Sequence, residues 1–116
     1  MSLFAPESNP QWVRLCKLDE LPKNQGKRFT VEGSEIAVFR TETGVFATDD
    51  YCPHMGDSLS AGRIWEGTVV CPRHMWAFRL TDGKCTDVPT LAVTTYQVDV
   101  QDGWVFIKRP NTSSPE

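Results

Sequence analysis

Two short segments, each with one cysteine and one histidine, constrain this chain more than any other feature of its sequence. The first runs Cys-Pro-His from Cys52 to His54, and the second runs Cys-Pro-Arg-His from Cys71 to His74, with sixteen residues between them. The proline after each cysteine fixes its own φ angle and removes one backbone donor. Two thiolates and two imidazoles predict a metal centre, so the fold must bring two loops that are distant in sequence face to face.

Two kinds of metal centre match this ligand set. A [2Fe-2S] cluster can be held by two cysteines on one iron and two histidines on the other. Structural zinc also takes two cysteines and two histidines, but its cysteines usually come as a Cys-x-x-Cys pair from one knuckle. Here each segment supplies one of each, which would place both thiolates on one side and both imidazoles on the other. The spacing favours the cluster, and a structural zinc-binding interaction module remains the alternative.

Length and composition limit the class of protein. The chain has 116 residues, of which 40% are hydrophobic and 23% charged, as in a globular domain with one core. The net charge of −3 gives no electrostatic reason to expect nucleic acid or an anionic membrane as a partner. No apolar run approaches the roughly 20 residues of a membrane span, and residues 1–10 lack the features of a secretory signal. We therefore expect a cytoplasmic protein.

The remaining two cysteines carry no metal-ligand signal. Cys16 and Cys85 have no histidine or cysteine at ligand spacing. In a reducing compartment, cysteines and histidines at ligand spacing indicate a metal site before a disulfide. Cys16 and Cys85 are therefore interpreted as small buried hydrophobic residues.

The pattern of the chain predicts a single all-β domain over residues 11–109, between disordered tails at 1–10 and 110–116. X-Gly pairs such as Asp82-Gly83 and Asp102-Gly103 separate apolar runs, which is typical of hairpins. About eight or nine short strands are expected, in antiparallel sheets. A short helix could form at 18–21, ended by Pro22. The clearest strand runs are 12–16, 29–31, 36–39, 45–48, 68–70, 77–80, 96–100 and 104–107.

The residues around both segments resemble a known family. Residues 52–62 (CPHMGDSLSAG) and 69–78 (VVCPRHMWAF) look like the ligand loops of a Rieske-type [2Fe-2S] ferredoxin domain. The resemblance implies a Rieske-type fold of three stacked antiparallel sheets, in which the two ligand loops form a cluster-binding subdomain. It also implies one [2Fe-2S] cluster per chain, with Cys52 and Cys71 on one iron and His54 and His74 on the other.

Within this family the likeness is strongest to the small subunit of assimilatory NAD(P)H-dependent nitrite reductase. It is carried by residues 36–40 (IAVFR), 74–78 (HMWAF) and 98–106 (VDVQDGWVF). It implies one-electron transfer in nitrate and nitrite assimilation, with a large sirohaem and flavin subunit as partner. The alternative is a soluble ferredoxin between a ferredoxin reductase and an aromatic-ring-hydroxylating dioxygenase, a group that tends to carry Gly at the position of Trp76. No catalysis is expected from this chain alone.

Two departures from the respiratory Rieske proteins bear on the cluster. Those proteins have a disulfide between two extra loop cysteines, and the matching residues here are Asp57 and Arg73, which could form an ion pair or stay separate. They also place a Ser and a Tyr hydroxyl near the cluster sulfurs, where this chain has Trp76 and Phe78. Because hydrogen bonds to sulfur stabilise the reduced cluster, their loss implies a low reduction potential.

The same resemblance places a partner contact at the tip of the domain. Met55 and Met75 each follow a ligand histidine, and Pro53, Pro72 and Leu59 lie close to them in sequence. These residues are expected to form an apolar contact rim, unless Met55 and Met75 simply shield the cluster from water. Three acidic residues nearby could steer a basic partner to this tip, namely Asp49, Asp50 and Asp57.

Overall fold

The computed structural model describes residues 11–51, 58–71, 76–88 and 90–108. Within these residues the chain forms ten strands. They are β1 (Trp12–Lys17), β2 (Gln25–Val31), β3 (Ser34–Thr41), β4 (Gly44–Asp49), β5 (Arg63–Trp65), β6 (Thr68–Val70), β7 (Ala77–Arg79), β8 (Thr95–Tyr96), β9 (Val98–Gln101) and β10 (Trp104–Lys108). The first sheet has the order β1-β10-β9, the second β2-β3-β4-β8 and the third β5-β6-β7. The prediction of an all-β fold with three antiparallel sheets is confirmed, while the predicted tails lie outside the described residues.

Strand β3 explains how the three sheets stack. Its centre, from Ile36 to Phe39, is fully buried, and its side chains alternate between two cores because successive residues of a strand point to opposite faces. Ile36 and Val38 lie in what we call the Cys16 core, together with Cys16, Leu21, Val31, Ala47, Val105 and Ile107. Ala37 and Phe39 lie in the Cys71 core, together with Leu59, Val69, Cys71, Phe78, Leu80, Cys85 and Val93. The second sheet is therefore the middle layer of the domain.

Three strand predictions differ from the structure. The predicted strand 96–100 is two strands, because β8 pairs with β4 and β9 pairs with β10, so the chain changes sheets at Gln97. The predicted strand began at Phe29, but β2 begins at Gln25. Its first residues gave no apolar signal, because β2 lies at the edge of its sheet and its polar residues face solvent. Strand β5 was not predicted, because three residues are too few to show an alternating pattern and its two apolar residues, Ile64 and Trp65, are adjacent.

The helix considered for residues 18–21 is a single 3₁₀ turn at Leu18–Glu20. The Leu21 N–H donates to the Leu18 carbonyl (3.0 Å), and the guanidinium of Arg40 donates to the Leu18 carbonyl (3.1 Å). Pro22 follows directly and, as expected, prevents a longer helix. In the described part of the chain, no helix is long and apolar enough to cross a bilayer.

The predicted turns at Asp82-Gly83 and Asp102-Gly103 are both present. Asp102 and Gly103 have φ angles of +54° and +80°, the combination that a two-residue hairpin turn requires. Gly83 has a φ angle of +79°, and its N–H donates to the Arg79 carbonyl (2.7 Å). The hydrogen bond from Arg79, and then that from the Lys84 N–H (3.0 Å), lower the pKa of Asp82 to about 2.

Gly83 is expected to matter more for stability than an ordinary turn glycine. A Cβ added there would lie 2.0 Å from the Val93 carbonyl oxygen, whereas a Cβ at Gly33, whose φ is +86°, would have no atom within 4 Å. Gly33→Ala should lower the free energy of unfolding by about 1–2 kcal/mol through backbone strain alone. Gly83→Ala should lower it by a further ~1–3 kcal/mol because the Val93 backbone must move. Urea denaturation of both variants measures the difference, and equal losses would contradict the close approach.

Candidate metal centre

Of the four predicted ligands, the structure describes Cys71, while Cys52, His54 and His74 lie outside the described residues. Cys71 directly follows β6 and is fully buried. Among the described residues, no group of three or more His, Cys, Asp or Glu side chains lies close enough together to hold a metal ion. A metal centre at Cys71 therefore needs ligands from beyond the described residues, and both histidines of the chain lie there in sequence.

We call residues 52–57 the first ligand segment and residues 72–75 the second. Backbone pairing closes the second segment at its base. The Cys71 N–H donates to the Trp76 carbonyl (2.7 Å), and the next pair outward, Val70 and Ala77, are partners in the β6–β7 ladder. The Ala77 N–H donates to the carboxylate of Asp87 (3.0 Å). The segment that contains His74 thus leaves the third sheet and returns to it at adjacent positions.

The first ligand segment, residues 52–57, is closed in a similar way. Tyr51 and Ser58 form an antiparallel bridge, and the Leu59 N–H donates to the Asp50 carbonyl (3.1 Å). The Asp50 side chain adds two bonds to the same junction, accepting the Ser58 hydroxyl (2.6 Å) and the Ser60 N–H (2.7 Å). The two ends of this segment are therefore held side by side.

The fold also pairs the residues that follow the first segment with the residues that precede the second. A 3₁₀ turn at Leu59–Ala61 leads from the first segment into β5, and Arg63 at the start of β5 pairs with Val70 at the end of β6. The approach is close, because a Cβ added to Gly62 would lie 2.3 Å from the Val70 carbonyl oxygen. The chain that follows the first segment is thus paired with the chain that precedes the second, which fits a centre that takes one Cys and one His from each.

Asp50 corrects one expectation from the sequence. Only 4% of this residue is exposed, and both carboxylate oxygens accept hydrogen bonds. The idea that Asp50 steers a basic partner is therefore wrong. Asp49 is half-buried and accepts the Tyr96 hydroxyl (2.5 Å); burial, and then this bond, raise the pKa of Tyr96 above its usual value. Asp57 lies outside the described residues.

Two aromatic residues after the second segment support its base. Phe78 is fully buried in the Cys71 core, and Trp76 is half-buried and packs against that core. Neither side chain carries a hydroxyl. Met55, Arg73 and Met75, for which the sequence suggested a contact rim and an ion pair, lie outside the described residues. The prediction that Leu59 belongs to this rim is wrong, because Leu59 is fully buried in the Cys71 core.

The two remaining cysteines are buried, as expected. Cys16 is 5% exposed in one core and Cys85 is 3% exposed in the other. Burial, and then the charge of Glu20, raise the pKa of the Cys16 thiol. The Cys85 sulfur accepts the Val88 N–H (3.3 Å). Both cysteines therefore act as packing residues in the described structure.

The serines that close the first segment were not recognised in the sequence. Ser58 and Ser60 join the carboxylate of Asp50 in one cluster, with their hydroxyl oxygens 2.8 Å apart. Their spacing of two residues was visible, but a Ser-x-Ser pair is common in exposed loops. Only the position of Asp50 in three dimensions gives this pair its role.

Comparison with known proteins gives the family. Residues 11–97 match the family model described as Rieske [2Fe-2S] domain. The chain is 31% identical over 98 residues to the ferredoxin component of the naphthalene 1,2-dioxygenase/salicylate 5-hydroxylase systems of a Ralstonia species, covering 84% of this chain and 94% of that protein. It is 33% identical over 108 residues to cholesterol 7-desaturase of Hemicentrotus pulcherrimus, covering 83% of this chain. It spans only 23% of that desaturase.

The fold is shared with a solved structure described as that of an NADH-dependent nitrite reductase small subunit from Mycobacterium tuberculosis. The TM-score is 0.81 at 29% sequence identity, covering 87% of this chain and 96% of the other. Three sheets, two ligand segments with closed bases and the match over residues 11–97 agree with one another. This chain belongs to the Rieske [2Fe-2S] domain family, whose members carry one [2Fe-2S] cluster per domain and transfer electrons.

Proposed function

We propose that Cys52, His54, Cys71 and His74 hold the cluster and that the chain is the small subunit of an NAD(P)H-dependent nitrite reductase. The observation that supports the ligand assignment is the pairing of Arg63 with Val70, because it joins the chain that follows the first segment to the chain that precedes the second. When bound, a Rieske cluster takes up and gives back one electron at a time. The partner would be a large subunit with sirohaem and flavin, in nitrate and nitrite assimilation in the cytoplasm.

The described residues around Cys71 exclude water from its thiol and hold its backbone in place. Cys71 lies among apolar side chains of its core, including Phe39, Leu59, Val69 and Phe78, which keep water from its thiol. The bond from the Cys71 N–H to the Trp76 carbonyl fixes the backbone on both sides of the His74 segment. A ligand on a buried, hydrogen-bonded backbone loses little conformational freedom when it binds the metal, which favours a stable site.

The nitrite reductase assignment is supported by the match in fold. This chain covers 96% of the M. tuberculosis small subunit, so the likeness extends over that whole protein and is not limited to the ligand segments. The residues 36–40 that carried the sequence resemblance form the buried part of β3 and its continuation to Arg40.

A dioxygenase ferredoxin is the second candidate. The specific observation in its favour is the match over 94% of the Ralstonia ferredoxin component. In that case the partners would be a ferredoxin reductase and an oxygenase. The two candidates share the cluster and its ligands, and they differ in the protein that receives the electron.

Two matched cysteine variants test the ligand set. Cys71 and Cys85 lie in the same core and are both buried, so replacing each with Ala removes the same atoms from similar surroundings. Cys71→Ala should lose the cluster, and Cys85→Ala should load it fully. Iron and acid-labile sulfide analysis, with EPR of the reduced protein, measures loading. Wild type should show a rhombic signal with an average g value below that of all-cysteine [2Fe-2S] ferredoxins.

The opposite results would exclude this ligand set. Wild-type protein with one zinc and no acid-labile sulfide would support the zinc-binding alternative. A loaded Cys71→Ala variant would remove Cys71 from the ligands.

The reduction potential should lie at the low end of the Rieske range, about −150 mV rather than about +300 mV. The reason is that Phe78, which is buried beside the ligand backbone, and Trp76 supply no hydroxyl to the cluster sulfurs. Protein-film voltammetry gives the midpoint directly, and a value above zero would show that other donors reach the sulfurs.

Electron transfer to defined partners separates the two candidate functions. The reduced protein should support NAD(P)H-dependent nitrite reduction when mixed with a sirohaem and flavin large subunit from the same organism. It should fail to replace the ferredoxin of a naphthalene dioxygenase system. The reverse outcome, oxygenase turnover without nitrite reduction, would assign the chain to the second candidate.

A further inference from the structure

The described structure contains one buried carboxylate, that of Asp50, and both of its hydrogen bonds lie at the base of the first ligand segment. Asp50 is two residues before the predicted ligand Cys52, and its side chain is 3% exposed. Removing a carboxylate from water is costly unless hydrogen bonds replace its hydration. The bonds that Asp50 makes therefore identify what the fold gains from an acid at this position.

Those bonds join the two ends of the segment. The Asp50 side chain, on the entering side, accepts the Ser58 hydroxyl (2.6 Å) and the Ser60 N–H (2.7 Å) on the leaving side. The Asp50 backbone carbonyl accepts the Leu59 N–H as well (3.1 Å). One residue on the entering strand is thus bonded to three consecutive residues on the leaving side.

Asp50 is also connected to the middle sheet, mainly through its backbone. The Asp50 N–H donates to the Glu35 carbonyl on β3 (2.9 Å), and Arg28 of β2 lies 3.9 Å from the carboxylate. Arg28 is also 3.7 Å from the Glu35 carboxylate, but its side chain is 60% exposed, so both ion pairs are screened by solvent. The hydrogen bonds to the backbone and to Ser58 are the stronger connections.

We infer that Asp50 is a positioning residue, whose carboxylate clamps the two ends of the first ligand segment and thereby sets where Cys52 and His54 meet the cluster. This inference rests on the proposed ligand set. The clamp acts through the backbone of Ser60 and the hydroxyl of Ser58, so it needs two acceptor oxygens in a fixed orientation. It differs from a general contribution to stability because it should affect the cluster more than it affects the rest of the fold.

The conservative variant isolates geometry from charge. In Asp50→Asn the amide oxygen can still accept the Ser60 N–H, and the amide nitrogen can donate to the Ser58 hydroxyl oxygen, which accepts as well as donates. Asp50→Ala removes both bonds and leaves the Ser60 N–H without this acceptor. Asp49→Ala is the matched control, because Asp49 is the neighbouring acid but its bond goes to Tyr96.

The experiment measures cluster release from the loaded protein in the presence of an iron chelator, with EPR of the reduced state. Asp50→Ala should release its cluster about tenfold faster than wild type or more, the usual size of a lost supporting contact at a metal site. Its g values should also shift or broaden. Asp50→Asn should restore most of the wild-type rate and g values, and Asp49→Ala should lower the unfolding temperature without changing either.

Several results would overturn the inference. Release from Asp50→Ala at the wild-type rate with unchanged g values would do so, as would equal acceleration in Asp49→Ala, which would indicate general destabilisation. If Asp50→Ala does not fold, Ser58→Ala removes a single bond of the clamp, and it should accelerate release less but in the same direction; no acceleration counts against the clamp.

A failure of the proposed ligand set has a different signature. In that case wild type itself does not load a cluster, and the clamp is tested on the cluster-free protein by hydrogen exchange. The Ser60 and Leu59 amides should exchange faster in Asp50→Ala than in wild type. Equal exchange rates would contradict the clamp independently of the cluster.

Discussion

The packing of β3 on both of its faces is the constraint on which the rest of the domain depends. Ile36 and Val38 fill one core while Ala37 and Phe39 fill the other, and each is fully buried. Complete burial of side chains of this size contributes about 1.5–3 kcal/mol each for Ile, Val and Phe. Because one strand serves both cores, the first and third sheets are fixed relative to each other through the middle sheet. The end of the third sheet, where the second ligand segment begins, is thereby fixed as well.

The ligand segments are held at their bases by the same kind of hydrogen bonds that build the sheets. The junction at Cys71 and Trp76 continues the β6–β7 ladder, and the bridge between Tyr51 and Ser58 closes the other segment. Main-chain pairing thus closes each segment at its own base. A side-chain carboxylate adds to both junctions: Asp50 accepts from Ser58 and Ser60 at the first, and Asp87 accepts the Ala77 N–H beside the second.

The sequence predicted the fold well where local pattern and tertiary environment agree. The apolar run 36–39 indicated a buried strand, and Asp102-Gly103 indicated a hairpin, because each depends on the chemistry of adjacent residues. The four candidate ligands were found from the spacing of their Cys and His residues, and the family match agrees with the cluster that this spacing suggested.

Features that depend on distant partners could not be predicted from the pattern. Residues 96–100 alternate without interruption, so nothing local shows that Gln97 lies between two sheets. The polar edge strand β2 gave no apolar signal before Phe29. Asp50 stands between Asp49 and the exposed Tyr51, and its burial follows only from Ser58 and Ser60, which reach it from eight and ten residues away.

The change of sheet at Gln97 has a mechanical consequence. One residue joins β8 in the middle sheet to β9 in the first sheet, and the Gln97 carbonyl accepts a hydrogen bond from the Lys108 N–H (2.9 Å). A single extended residue spans no more than about 3.6 Å, so this connection has almost no slack. The two sheets cannot slide past each other without pulling on β8, which pairs with β4 close to the point where the chain enters the first ligand segment. A force applied to the first sheet would therefore be transmitted to the base of that segment rather than absorbed by a flexible linker.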